Sequence, residues 1–93
     1  MNAEQILEHA RNLVSGDRRA QHGDAHTNFG NIAIMWSAFM AIRRDPSASL
    51  SRSDVADMME LMKLARRQTG SVNEDDAVDG SAYAAFSGEF ADD

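Results

Sequence analysis

The chain has 93 residues, no cysteine and a net charge of −6 at neutral pH. That length suits one domain. The absence of cysteine excludes a disulfide scaffold and thiolate chemistry, and the acidic balance opposes gripping duplex DNA through the overall field.

No apolar run approaches the roughly 20 residues of a membrane span. The start, Met1-Asn2-Ala3-Glu4, lacks the basic-then-apolar pattern of a leader. A cytoplasmic protein without membrane attachment is expected. A chain this short removes only about 60–65% of its extended surface from water on folding, so a second copy is expected to finish its exposed faces as a homo-oligomer.

Helical periodicity runs through the sequence, and nothing reads as a strand. Ala3, Ile6, Leu7, Ala10, Leu13 and Val14 repeat at three- and four-residue steps, predicting a first helix over 3–15 that Gly16 caps. The polar segment to Asp24 reads as a loop. Phe29, Ile32, Ala33, Trp36, Phe39 and Met40 mark one face of a second helix over 26–43, with Trp36 in the core. Pro46 stops it. Ser51 and Asp54 form a capping signal for a third helix over 52–69, striped by Val55, Met58, Leu61, Met62 and Ala65 and ended by Gly70. Asn73 caps a fourth helix over 74–90 whose first turn holds Glu74, Asp75 and Asp76. The expected fold is an all-α, single-domain four-helix bundle spanning 1–93.

Chemistry is sought where a polar residue interrupts an apolar stripe. At about 100° per residue, Asp79 falls among Ala82, Tyr83 and Phe86, with Asp75 one turn earlier on the same line. Asp54 falls among Met58, Leu61 and Ala65, with Arg66 on the flank. Glu60 and Lys63 project away from that stripe. His26 and Asn28 border the stripe of the second helix. A buried carboxylate must pair, bind a cation or meet water. Asp54 and Asp75 can satisfy helix-start N–H groups, and Asp79 can pair with Arg66 or Arg18. Alternatively, the three aspartates are oxygen ligands suited to Mg²⁺ or Mn²⁺, with arginine and lysine holding phosphate. The acidic pairs Asp57-x-x-Glu60 and Asp76-x-x-Asp79 resemble the pattern of the MazG-like nucleoside triphosphate pyrophosphohydrolases, in which such acids hold Mg²⁺. The doubled glutamate of that pattern is absent, since Ala56 precedes Asp57.

A longer resemblance covers most of the chain. Leu13-Val14-Ser15-Gly16-Asp17-Arg18, Gly23-Asp24, Asn28-Phe29, Trp36-Ser37, Asp54-Val55-Ala56, Leu61-Met62-Lys63-Leu64-Ala65-Arg66 and Tyr83-Ala84-Ala85 are similar to a family of small uncharacterised proteins of tailed phages and prophages. His22 stands where that family usually has tyrosine, and Ala82 where it has glycine. The resemblance implies a phage or prophage setting inside the host cell. It gives weight to Arg18, Asn28, Asp54, Lys63, Arg66, Asp75, Asp79 and Tyr83.

The function expected is a nucleotide- or phosphate-binding helical protein, extending to a Mg²⁺-dependent pyrophosphohydrolase-like one. Asp54, Asp75 and Asp79 would be the metal ligands. Arg18, Lys63 and Arg66 would contact phosphate, and Asn28, Tyr83 and His26 the substrate. The alternative is a non-enzymatic acidic inhibitor of a basic host defence protein, of the anti-CRISPR kind. Its motive is that no basic residue follows Arg67, whereas Glu74, Asp75, Asp76, Asp79, Glu89, Asp92 and Asp93 do.

Overall fold

In the computed structural model, residues 1–16 and 24–92 are described. They form four α-helices and no strand: α1 (Ala3–Leu13), α2 (Ala25–Ile42), α3 (Arg52–Arg66) and α4 (Glu74–Glu89). This is the all-α, four-helix architecture the periodicity predicts. No described helix is long and apolar enough to cross a membrane.

Side-chain caps explain where the helices start. Asn2 and Gln5 form a reciprocal capping box at α1. Asp24 accepts from the Thr27 backbone N–H at 3.1 Å and its hydroxyl at 2.9 Å, so α2 begins a residue earlier than expected. Ser51 and Asp54 form the predicted box at α3, and Asn73 accepts from the Asp75 N–H at 2.9 Å. Each supplies a partner to an N–H that a helix start leaves without one. Gly16 and Gly70 take φ values of 62° and 65°, the left-handed conformation that only glycine adopts cheaply. After α2, the carboxylate of Asp45 accepts from both the N–H and the hydroxyl of Ser47, turning the chain through Pro46.

α3 is the central element, packed against α2 on one side and α4 on the other. Both pairings are antiparallel. Arg43 meets Asp54 while Trp36 meets Met58, and Ser53 meets Ser87 while Lys63 meets Asp79. The fully packed core is small: Ile32, Ala56 and Ala65 are its buried hydrophobic residues. Trp36 is half-buried and donates its indole N–H to the Met58 carbonyl at 2.7 Å. The packed face of α2 runs through Asn28, Ile32, Met35, Trp36 and Phe39, so Phe29 and Ala33, expected inside, are exposed. No residue of α1 is buried, and its apolar stripe faces outward.

Candidate functional site

Among the described residues, a dense group of charges lies where the C-terminal end of α3 meets the N-terminal end of α4. Asp76 is buried, at 4% exposure. Its carboxylate stands 3.9 Å from Lys63 Nζ and 3.7 Å from Arg66 Nε. Lys63 Nζ also reaches Asp79 at 3.0 Å. Asp76 and Asp79 are one turn apart, so both can face α3. Lys63 and Arg66 are likewise three residues apart, and face α4. The result is a quartet in which two carboxylates face two cations.

Two clefts flank it. One, of about 380 Å³, is lined by Arg66, Thr69, Asn73, Glu74, Asp75 and Asp76 at the first turn of α4. The other, of about 240 Å³, is lined by Glu60, Lys63, Arg67, Asp76, Gly80 and Ser81. The helices run close here: a Cβ placed on Gly80 would lie in ordinary contact, 3.8 Å, with that of Lys63.

Several expectations need correction. Lys63 does not point away from the interior: it packs toward α4, its side chain only 12% exposed. Glu60, placed opposite the stripe, lines a cleft with Asp76. The reason is that α3 packs on two neighbours, so a single apolar stripe does not define its inside. Asp79 has Lys63 as its ion-pair partner rather than Arg66. Asp76, expected in the first turn of the fourth helix and in the Asp76-x-x-Asp79 pair but not among the metal ligands, is the carboxylate that is buried.

The three aspartates expected to share a metal are not brought together. Asp54 starts α3, beside the end of the antiparallel α4, whereas Asp75 and Asp79 lie near its beginning. Nine residues of helix separate Asp54 from Lys63, about 13 Å of axial rise. Asp54 instead accepts from the Ser51 N–H at 2.9 Å and from Arg43 at 2.8 Å. The Ser51 bond is the main reason its carboxyl titrates below the ordinary value, with the Arg43 charge adding to it. Among the described residues, no three acidic or histidine side chains are grouped to hold a metal.

Asp75 is exposed on the rim of the larger cleft. Tyr83 lies one turn beyond Asp79, half-buried, in an apolar groove with Val55, Met59, Phe86 and Phe90. His26 is exposed in the first turn of α2. Arg18 and His22 lie outside the described residues. Asn28 carries a signal that sequence could not supply: its Oδ1 is buried and has no hydrogen-bond partner. Asn28 precedes Trp36 by eight residues and Arg66 follows Met58 by eight, so antiparallel register puts Asn28 at the same end of the molecule as the quartet.

No solved structure matches this chain. Two curated relatives do, both named Gene 55 protein. That of Mycobacterium phage D29 is 34% identical over 82 residues, covering 88% of this chain and 50% of the relative. That of Mycobacterium phage L5 is 34% identical over 79 residues, covering 85% and 47%. The chain therefore spans about half the length of the phage proteins it matches. The family model described as "Domain of unknown function (DUF6378)" matches residues 5–91, and the chain belongs to that family.

Proposed function

We propose that the protein binds a phosphorylated ligand of the nucleotide class, together with a divalent cation, at the Lys63–Arg66–Asp76–Asp79 quartet. The observation that carries this reading is the burial of Asp76 between two cations at 3.7 and 3.9 Å, both longer than a hydrogen bond. Opposite charges here neutralise one another across the helix pair. A Mg²⁺–phosphate unit presents the same two signs, so it can exchange with the pairs without stranding a charge. Asp76 and Asp79 would turn to the cation, and Lys63 and Arg66 to the phosphate oxygens. Mg²⁺ keeps several waters and commonly takes one or two carboxylates plus substrate phosphates. Two protein carboxylates therefore suffice, and Asp54 is not needed.

The unsatisfied Asn28 Oδ1 adds to this reading. A buried acceptor without a donor costs about 1–3 kcal/mol. A ligand N–H, such as a nucleobase offers, would relieve that cost. Glu60 on the Asp76 cleft supports the hydrolase form of the proposal, since it supplies a further carboxylate for a metal-bound water.

The test is a melting-temperature screen of nucleoside mono-, di- and triphosphates with Mg²⁺ or EDTA. A ligand that binds the folded state raises the transition. Stabilisation that needs both nucleotide and metal, and is lost in Lys63→Met, is expected. An unmoved transition across the whole panel would sink the proposal. The competing reading, an acidic inhibitor of a basic host protein, draws on exposed Glu89 and Asp92 at the end of the chain. It predicts instead that Glu89→Gln with Asp92→Asn slows association with that partner at low salt.

A further inference from the structure

α2 is unusual for a helix that packs on one side. Its eighteen residues include no aspartate, glutamate, lysine or arginine. Its hydrophobic side chains are spread around the whole circumference, and a helix of that kind belongs in an interior. Yet Ile32 is its single buried residue. The face away from α3 carries Gly30, Ile34, Ser37, Ala38 and Ala41, all exposed, with Ile34 at 70%. A Cβ added at Gly30 would meet nothing within 4 Å.

The dimensions of the chain point the same way. It exposes 6939 Å², about 1,600 Å² more than the roughly 5,300 Å² of a compact 10.2 kDa monomer. Its radius of gyration is 15.6 Å, against about 12 Å for a compact domain of this length. A standard stable interface removes about 800 Å² from each partner, and obligate ones remove more. That excess lies on α1, of which no residue is buried, as well as on the open face of α2, and it is larger than one standard interface removes.

We propose that this charge-free face of α2 is a self-association surface, through which two copies pair α2 against α2 across a two-fold axis. The occupant is a second copy because the face is self-complementary in charge. At −6 per chain, two copies repel through most of their surface, and an uncharged face minimises that repulsion. Gly30, Ser37 and Ala41 are small enough for the two backbones to approach, while Ile34 fills the seam. In an isologous pairing the middle of the stripe lies near the axis, so Ser37 of one copy approaches the same residue of the other.

The absence of cysteine makes the test clean. Sedimentation of the wild type should give twice the 10.2 kDa chain mass throughout the micromolar range. Its melting temperature should rise with concentration, as linkage requires of a dimer. Ser37→Cys changes one atom, and a short bis-maleimide should link two copies of it. Ala85→Cys, on the exposed side of α4, should stay unlinked under the same conditions. Ala38→Glu should dissociate the pair. If that variant unfolds, the Ser37→Cys result still decides. A wild-type monomer with a concentration-independent transition overturns the proposal and leaves the face to another partner. A dimer in which folded Ser37→Cys does not link overturns it too, because the copies then meet elsewhere.

Discussion

Arg43 and Asp54 form a 2.8 Å ion pair that ties the end of α2 to the first turn of α3. The Arg43 side chain is 6% exposed, and its guanidinium also donates to the carbonyls of Ala48 and Ser49. One side chain thus fixes the whole connection between the helices. Asp54→Ala removes both this pair and the capping bond to Ser51, but leaves Arg43 its two carbonyls. The expected loss is about 2 kcal/mol in urea unfolding. A loss below about 0.5 kcal/mol, the level of an ordinary surface substitution, would mean that the connection is held by something else.

The same carboxylate sets an acid limit. Its folded pKa is depressed below 3.8, chiefly by the Ser51 N–H. A depressed carboxylate stabilises the fold above its unfolded pKa, and that contribution fades as pH falls through the folded value. Stability should therefore decline below about pH 4, the ordinary aspartate range. Asp54→Asn should flatten that decline. Equal acid sensitivity in wild type and variant would show that other groups govern it.

Asp76 and Asp79 share Lys63 yet should respond very differently to replacement. Asp76→Ala removes the buried carboxylate that Lys63 and Arg66 both face, while Lys63 keeps Asp79, and a loss of about 2 kcal/mol is expected. Asp79 is 49% exposed and leaves Lys63 with Asp76, so Asp79→Ala should cost no more than about 1 kcal/mol. Comparable losses would contradict the burial difference between the two carboxylates.

Much of this molecule is legible in its sequence. The helix starts follow from Ser51 with Asp54 and from Asn73, and the breaks from Pro46 and Gly70, because capping and backbone restriction act within a few residues. Facing is harder. Lys63 and Glu60 project away from the apolar stripe of α3, but α3 packs on α2 and α4 at once, so a residue off one stripe can still face a neighbour. Asp76 stands in a short acidic pair with Asp79, but otherwise looks like any acid that suits a helix start. Its burial is decided by Lys63 and Arg66 arriving from another helix, which no local pattern encodes. The Asn2–Gln5 capping box that starts α1 is a local signal that the apolar repeat of that helix does not carry. The orphaned acceptor of Asn28 has no sequence signature at all.

Trp36 is the sole tryptophan, and its indole bonds the Met58 carbonyl across the α2–α3 contact. Trp36→Phe keeps most of the apolar contact and deletes the donor, with an expected cost of about 1 kcal/mol. Its fluorescence reports docking of α2 on α3. Unfolding followed by fluorescence should coincide with loss of helicity by circular dichroism, the behaviour of a cooperative unit. An earlier fluorescence transition would show that α2 undocks before the α3–α4 pair melts.

Asn28 separates binding from stability. Its buried Oδ1 lacks a donor, so the folded chain carries a desolvation cost that the unfolded chain does not. Asn28→Leu deletes the acceptor, keeps the approximate shape and improves helix propensity. The variant should be as stable as wild type, or up to about 1 kcal/mol more stable. If Oδ1 receives a ligand N–H, the same change should abolish the stabilisation given by nucleotide with Mg²⁺. Stability and binding then move in opposite directions, which a merely structural residue would not produce. The two measurements are urea unfolding without ligand and a thermal shift with the best nucleotide of the panel. A large loss of stability would show that Asn28 makes a structural bond after all. Unchanged stability with an unchanged shift would remove Asn28 from the ligand site, while leaving the Lys63–Arg66–Asp76–Asp79 quartet to be judged by its own variants.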